Sequence, residues 1–205
     1  ASDQNSSGGS GDDNVWIGHQ AGMKSSSASD NVCIGAFAGD ALTQGNNNVA
    51  IGYEALSTED AHGDNVAVGY QSLKTLNAGA DAFSTAVGYQ SGTSLTTGVH
   101  NTFLGALCGD GVDDGYSNVA IGYEALSANC GNENTAIGKR ALVVNTASSN
   151  VAVGFEALEA NTSGYYNTSV GYQTLNKNTE GLNSTSIGHN ALHNATTGGY
   201  NTAVG

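Results

Sequence analysis

The hydrophobic and polar positions of the chain follow one pattern along nearly its whole length. An aliphatic residue precedes a glycine at twelve places, and the spacing between these places is nearly constant. These anchor glycines are Gly18, Gly35, Gly52, Gly69, Gly88, Gly105, Gly122, Gly138, Gly154, Gly171, Gly188 and Gly205. A unit this short cannot bury a hydrophobic face without its neighbours, so the period predicts a stacked repeat architecture.

The positions just before each anchor predict a short strand. Val or Thr stands three residues before the anchor and an aliphatic residue directly before it, with Ala or Ser between them in nine of twelve units. This alternation has the period of two that is typical of β-strands. We expect the aliphatic column to form the core: Ile17, Ile34, Ile51, Val68, Val87, Leu104, Ile121, Ile137, Val153, Val170, Ile187 and Val204.

A polar column accompanies the strands. Asn stands four residues before the anchor in ten units, and Ser84 and Ser184 replace it in the other two. Stacked identical units would place these side chains above one another, which predicts an amide ladder along the axis. Its members are Asn14, Asn31, Asn48, Asn65, Asn101, Asn118, Asn134, Asn150, Asn167 and Asn201.

The pattern therefore predicts an all-β fold, a parallel β-solenoid (β-roll) of about twelve coils of ~17 residues over residues 14–205. Residues 1–13 are expected to form a flexible lead. Helical repeats are longer, and the abundant Gly, Asn and Thr are poor helix formers. The absence of Pro fits a body in which most backbone N–H groups donate to a neighbouring coil.

Charge and cysteine content argue against several classes of function. The net charge is −13, from 5 basic and 18 acidic residues, which argues against nucleic acid and anionic membrane surfaces as partners. No apolar stretch is long enough to predict membrane insertion. Cys33, Cys108 and Cys130 form neither a disulfide framework nor a zinc motif. Cys130, in a loop, is the thiol expected to be able to bridge two chains.

Candidate chemistry is sparse. The stretch GGSGDDNVW, at residues 8–16, matches a calcium-binding nonapeptide once, making Asp12 and Asp13 weak Ca²⁺ candidates. That motif needs tandem copies, so we expect no metal and no cofactor. Acidic pairs such as Glu59 and Asp60 are interpreted as solvated loop charges. No acid–base cluster, nucleophile elbow or phosphate-binding loop appears, and we expect no enzymatic activity.

Tyrosines recur directly after the anchors, at Tyr53, Tyr70, Tyr89, Tyr123 and Tyr172. In a stacked solenoid such residues either pack ring on ring along the surface or offer their faces to sugar rings. Ring-on-ring packing is the favoured interpretation.

Two kinds of known repeat share this phrase. The segment from Asn48 to Ile51, followed by Gly52, Tyr53, Ala55 and Leu56, resembles the head repeats of trimeric autotransporter adhesins. The longer phrases GNNNVAIGYEAL and NTSGYYNTSVGYQTL resemble the repeat arrays of phage tail fibres. The resemblance implies a parallel β-roll that assembles as a homotrimer. The chain shows neither a heptad stalk nor a recognisable chaperone domain, so we expect a shaft segment.

We therefore expect a structural fibre protein, the repetitive shaft of an extracellular, cell-surface or virion appendage involved in attachment. Its expected partner is itself. Two alternatives remain open: a filament subunit joined end to end, or a solenoid module that binds cell-surface glycan.

Overall fold

Each repeat unit contributes one strand of three residues in the computed structural model, which describes residues 11–205. Every strand ends at the aliphatic residue before an anchor glycine. The strands are β1 Val15–Ile17, β2 Val32–Ile34, β3 Val49–Ile51, β4 Val66–Val68, β5 Thr85–Val87, β6 Thr102–Leu104, β7 Val119–Ile121, β8 Thr135–Ile137, β9 Val151–Val153, β10 Thr168–Val170, β11 Thr185–Ile187 and β12 Thr202–Val204. The described residues contain no helix, which confirms the all-β prediction.

The strands form one parallel sheet in which each pairs with the next in sequence, from β1 to β12. The register repeats from unit to unit: Val49 lies opposite Val66, Ala50 opposite Ala67, and Ile51 opposite Val68. Twelve strands in this order confirm the predicted parallel β-solenoid, with about eleven turns where the period predicted about twelve.

The core lies on the opposite strand face from the one expected. The middle residue of each strand points into the coil, and Ala50, Ala120 and Phe103 are fully buried. The aliphatic column before the anchors faces outward, with Ile17 50 % and Leu104 47 % exposed. The prediction that this column is the core of the chain is therefore wrong. Its members are half-buried or exposed: Ile17, Ile34, Ile51, Val68, Val87, Leu104, Ile121, Ile137, Val153, Val170, Ile187 and Val204.

The size of the coil explains the reversal. A coil this short encloses little space, and small residues from the strand together with leucines from the following turn fill it, as at Ala120 and Leu126. Where the middle residue is large, a glycine compensates. A Cβ atom on Gly109 would lie 2.7 Å from the Phe103 ring, and one on Gly22 would lie 2.3 Å from the Trp16 ring.

The anchor glycines turn the chain out of each strand. Their φ values lie between 128° and 146°, a region that L-residues rarely adopt. They also meet their counterparts in the next coil, since a Cβ on Gly52 would lie 2.2 Å from the carbonyl oxygen of Gly69. Further corners use non-glycine residues in the left-handed region, such as Glu54 and Leu56.

Of the stretch expected to be a flexible lead, residues 1–10 lie outside the described residues. Residues 11–13 already contact the second coil. The Asp12 carbonyl accepts a hydrogen bond from the N–H of Asp30 at 3.1 Å, and the Asp12 N–H donates to Oγ of Ser29 at 3.2 Å.

Candidate functional site

The asparagine column forms a hydrogen-bonded ladder through the length of the solenoid. The backbone N–H of Asn48 donates to Oδ1 of Asn31 at 2.9 Å, and the N–H of Asn65 donates to Oδ1 of Asn48 at 3.1 Å. The Nδ2 group of Asn31 donates to the Gly45 carbonyl at 2.9 Å. The ladder thus differs from the predicted side-chain amide ladder, because in the main bonds between successive asparagines the donor is a backbone N–H. Its role is structural: it satisfies buried polar groups at one corner of every coil.

A second asparagine ladder, which the sequence analysis missed, lies in the loops of three later coils. Nδ2 of Asn161 donates to Oδ1 of Asn145 at 2.7 Å, and Nδ2 of Asn178 donates to Oδ1 of Asn161 at 2.8 Å. All three side chains are buried. The sequence did contain a signal for this ladder, because each of these asparagines lies one repeat unit after the one before it. The ladder ends at Asn178, whose buried Oδ1 has no hydrogen-bond partner, because Ala195 follows it in the column.

One long face of the solenoid is uncharged and largely apolar. It consists of the first and third residues of every strand, a Val or Thr column beside the Ile, Val or Leu column. Neither column contains a charged residue, although the chain carries a net charge of −13. We call this surface the assembly face. Its twelve strands span about 53 Å, from eleven steps of ~4.8 Å. A stripe of this length exceeds the scattered apolar exposure that is normal on a monomer surface.

Three of the five tyrosines after the anchors stack on one another, and Tyr172 stacks on Phe155 and His189, which confirms the favoured interpretation for these four. Beside Tyr123 lies Nζ of Lys139, 5.8 Å from the ring centroid. Tyr53 and Tyr70 have ring centroids 5.4 Å apart with an interplanar angle of 13°, and Tyr70 and Tyr89 are 5.3 Å apart at 9°. Beside them, Nε2 of Gln71 donates to Glu54 at 2.8 Å, and Nζ of Lys74 pairs with the same carboxylate. The Tyr70 ring has a neighbouring ring on each face, and the ring face is the part of a tyrosine on which a sugar ring would stack.

Two other tyrosines are arranged differently from the stacked ones. Tyr165 and Tyr166 meet edge to face with centroids 5.1 Å apart, and they are 42 % and 59 % exposed. With Ala147, Ser148 and Ser149 they line an open cleft of about 300 Å³. Aromatic faces beside hydroxyl groups form a surface that can hold a sugar ring.

The three thiols are free and buried. Burial raises the pKa of Cys33, Cys108 and Cys130 to about 12, so the thiolate needed for disulfide exchange is scarce at neutral pH. Cys130 is only 3 % exposed. The expectation that Cys130 can bridge two chains is therefore wrong, because the loop that carries it folds its side chain into the coil.

The weak calcium candidates do not come together with other ligands. Asp12 and Asp13 are exposed, and among residues 11–205 neither joins a group of three possible metal-ligand side chains.

One such group does occur, formed by Glu59, Asp60 and His62, whose ligand atoms all lie within 4.8 Å of one another. Glu59 is fully buried, which contradicts its interpretation as a solvated loop charge. Burial raises the pKa of Glu59, while hydrogen bonding from His62 and the nearby Ala78 backbone act in the opposite direction.

Comparisons with protein-family models, with curated proteins and with solved structures give no match to this chain. Within the described part of the chain, no helix is long and apolar enough to cross a membrane.

Proposed function

We propose that this chain is the repetitive shaft of an attachment fibre and that its first partner is another copy of itself. The observation that carries the proposal is the uncharged assembly face. Copies with a net charge of −13 repel one another, so self-association requires a surface that brings no further like charges together. The assembly face is such a surface, and it runs the full length of the stack.

A homotrimer is the assembly that this face favours. The face is a narrow stripe on one side of a thin coil, and three stripes that meet around a common axis would cover both of its columns. Closed rotational symmetry of this kind buries the same patch on every copy and leaves none for further growth. In the proposed trimer the Ile and Val column becomes the core of the assembly, although it is not the core of the chain.

The resemblance to autotransporter heads and to tail-fibre arrays points to the same role. Both kinds of protein project from a surface, so we place this chain on an extracellular, cell-surface or virion appendage. The closed hydrogen-bond ladders and stacked rings of the solenoid suit a stiff spacer, since each coil is tied to the next at several corners.

The test is the mass of the native assembly in solution, measured by light scattering after gel filtration. We expect three copies for the native chain, and a lower mass for the double variant Ile51→Asp/Ile121→Asp, which places charges on the assembly face. The matched control is Thr197→Asp, which adds a charge to an exposed loop and should leave the trimer intact. A native chain that stays a folded monomer at micromolar concentration would refute the proposal.

End-to-end growth is the main alternative, and the same samples distinguish it. The outer edges of β1 and β12 carry backbone groups that no strand pairs within residues 11–205. Joining through these edges would give filaments of variable length in electron micrographs, and the Ile51→Asp/Ile121→Asp variant would still form them.

The Tyr165 and Tyr166 cleft supports glycan binding as a second function. A glycan array would detect it, and the variant Tyr166→Ala should lose the signal. Tyr70→Ala is the control, because the faces of the Tyr70 ring are covered by Tyr53 and Tyr89. An array signal that is equal in both variants, or absent in the native chain, would remove this candidate.

A further inference from the structure

Glu59 is an anomaly in the solenoid. It is seven residues past its anchor glycine, and the equivalent residues of the adjacent coils are Leu42 and Leu76. All three side chains are fully buried. Oε1 of Glu59 accepts a hydrogen bond from the N–H of His62 at 3.2 Å and lies 3.2 Å from Nδ1 of the same residue. Oε2 is buried and has no hydrogen-bond partner of normal geometry, although the Ala78 backbone lies near the carboxylate.

An unpaired carboxylate oxygen in this position is costly. Burying a charged group without compensation costs a large share of the stability of a small domain. In later coils the same position holds Asn145, Asn161 and Asn178, which bond to one another. Glu59 has no such neighbour, since leucines lie in the coils before and after it. A bound cation would compensate both the charge and the missing contact.

The repeat departs from its pattern at this place in two further ways. His62 lies ten residues past its anchor glycine. In other coils this position is a glycine, as at Gly45, Gly115, Gly164 and Gly181. The next coil, from Gly69 to Gly88, is the longest in the chain. Its extra length passes beside the cluster, where Oδ1 of Asp81 accepts a hydrogen bond from the N–H of Gly63 at 3.0 Å.

We propose that Glu59, Asp60 and His62 bind one divalent transition-metal ion, with Zn²⁺ as the best match. The ligand set is two carboxylate oxygens and one imidazole nitrogen, a mixture that suits Zn²⁺ better than Ca²⁺, which prefers oxygen alone. Two ligands of a tetrahedral zinc ion with bonds of ~2.0–2.1 Å are about 3.3 Å apart. Oε1 of Glu59 and Nδ1 of His62 are 3.2 Å apart, close to that separation, and the ligand atoms of all three residues lie within 4.8 Å of one another.

The loop is held in place from the preceding coil. The Asp60 carbonyl accepts hydrogen bonds from Oγ1 of Thr43 at 2.7 Å and from the N–H of Gln44 at 3.1 Å. The His62 carbonyl accepts one from Nδ2 of Asn48 at 3.2 Å. Glu59 forms the closed inner side of the site, while Asp60 is exposed and the His62 side chain is 26 % exposed, which gives an ion a path from solvent. The backbone that carries two of the ligands is therefore fixed, which lowers the reorganisation that binding requires.

Calorimetric titration of the full chain with Zn²⁺ at neutral pH tests the proposal. We expect one saturable ion per chain, and a loss of affinity of about tenfold or more in Glu59→Gln and in His62→Gly. The second variant restores the glycine that other coils carry, so it should fold normally. Asp113→Asn is the control, because it alters another acidic pair that has no histidine beside it.

Three results would overturn the assignment. One is a native chain that takes up no Zn²⁺, and another is unchanged binding in both site variants, which would place the ion elsewhere. The third is tighter binding of Ca²⁺ than of Zn²⁺ in the same titration, since an oxygen-only site would not need His62. Binding of Co²⁺ supplies a readout independent of affinity: the visible absorption of a low-coordinate cobalt site should appear in the native chain and vanish in His62→Gly.

Discussion

Oδ1 of Asn101 accepts a hydrogen bond from the backbone N–H of Asn118, one coil further along the chain, at 2.9 Å. At the same time Nδ2 of Asn101 donates to the carbonyl of Gly115 at 2.8 Å. Both bonds are buried, so one side chain satisfies two backbone groups of the next coil that water does not reach.

Replacing that side chain should therefore be costly. We expect Asn101→Ala to lower the free energy of unfolding by about 2–5 kcal/mol, because two buried backbone groups each lose their partner. Asn101→Ser should cost less, since Ser84 and Ser184 already serve as rungs of the same ladder. Asn129→Ala, at an exposed loop bond, is the control. Urea denaturation measures all three, and equal losses for Ala and Ser would contradict the role assigned to the ladder.

The neighbours Ala120 and Ile121 test which strand face is inside. Ala120→Asp places a charge in the closed interior and should prevent folding. Ile121→Asp places the same charge on the half-exposed assembly face and should leave the strand content intact while it weakens self-association. Circular dichroism and thermal melts of the two variants make the comparison, and an Ala120→Asp chain as stable as Ile121→Asp would show that the assignment is wrong.

Adding a Cβ atom to a glycine of positive φ can destabilise the fold through steric clash or through backbone strain, and two glycines of this chain separate the two effects. Gly52→Ala should disrupt the stack, because its Cβ would lie 2.2 Å from the carbonyl oxygen of Gly69 in a residue with φ of 138°. Gly79 also has a positive φ, 70°, but nothing lies within 4 Å of its Cβ position. Gly79→Ala should therefore cost only the backbone strain of about 1–3 kcal/mol. Similar melting temperatures for the two variants would contradict the close approach between coils.

The buried thiols predict a loss of stability in alkali. Thiols of the unfolded chain ionise near pH 9, whereas burial raises the pKa of Cys33 and Cys108 in the folded chain to about 12. A pKa raised by folding means that stability is complete below about pH 9 and falls as the pH rises toward 12. The variant Cys33→Ala/Cys108→Ala adopts the residue common in both columns and should show a shallower decline. Denaturation curves between pH 8 and pH 11 check the difference, and parallel curves would rule out the thiols as its source.

The sequence predicted the strands, their parallel order and the asparagine column, because a fixed period forces equivalent residues into register. It did not predict which strand face is inside. Alternation defines two faces, and the larger side chains of Ile51 and Val68 suggested the wrong one. The informative signal was the smallness of the middle residue, and the glycines that accompany Trp16 and Phe103.

The cluster around Glu59 was beyond prediction for a different reason. Glu59 and His62 are close in sequence, but their contact depends on the path of one loop between coils of unequal length. No periodic rule applies where the period itself changes.

The serial order of the strands also determines how the molecule should yield to a pulling force. Each coil contacts only the one before and the one after it, so tension applied to the two termini would act on the end coils first and peel them away singly. Releasing one coil of about 17 residues would lengthen the chain by about 51–56 Å, from ~3.3–3.6 Å per extended residue less the ~4.8 Å height of the coil. In a force spectrometer we expect a sawtooth with that spacing for the isolated chain. If chains associate through the assembly face, the coils of neighbouring chains would be coupled and the force of every unfolding peak should rise, so an assembled shaft would resist tension better than an isolated chain.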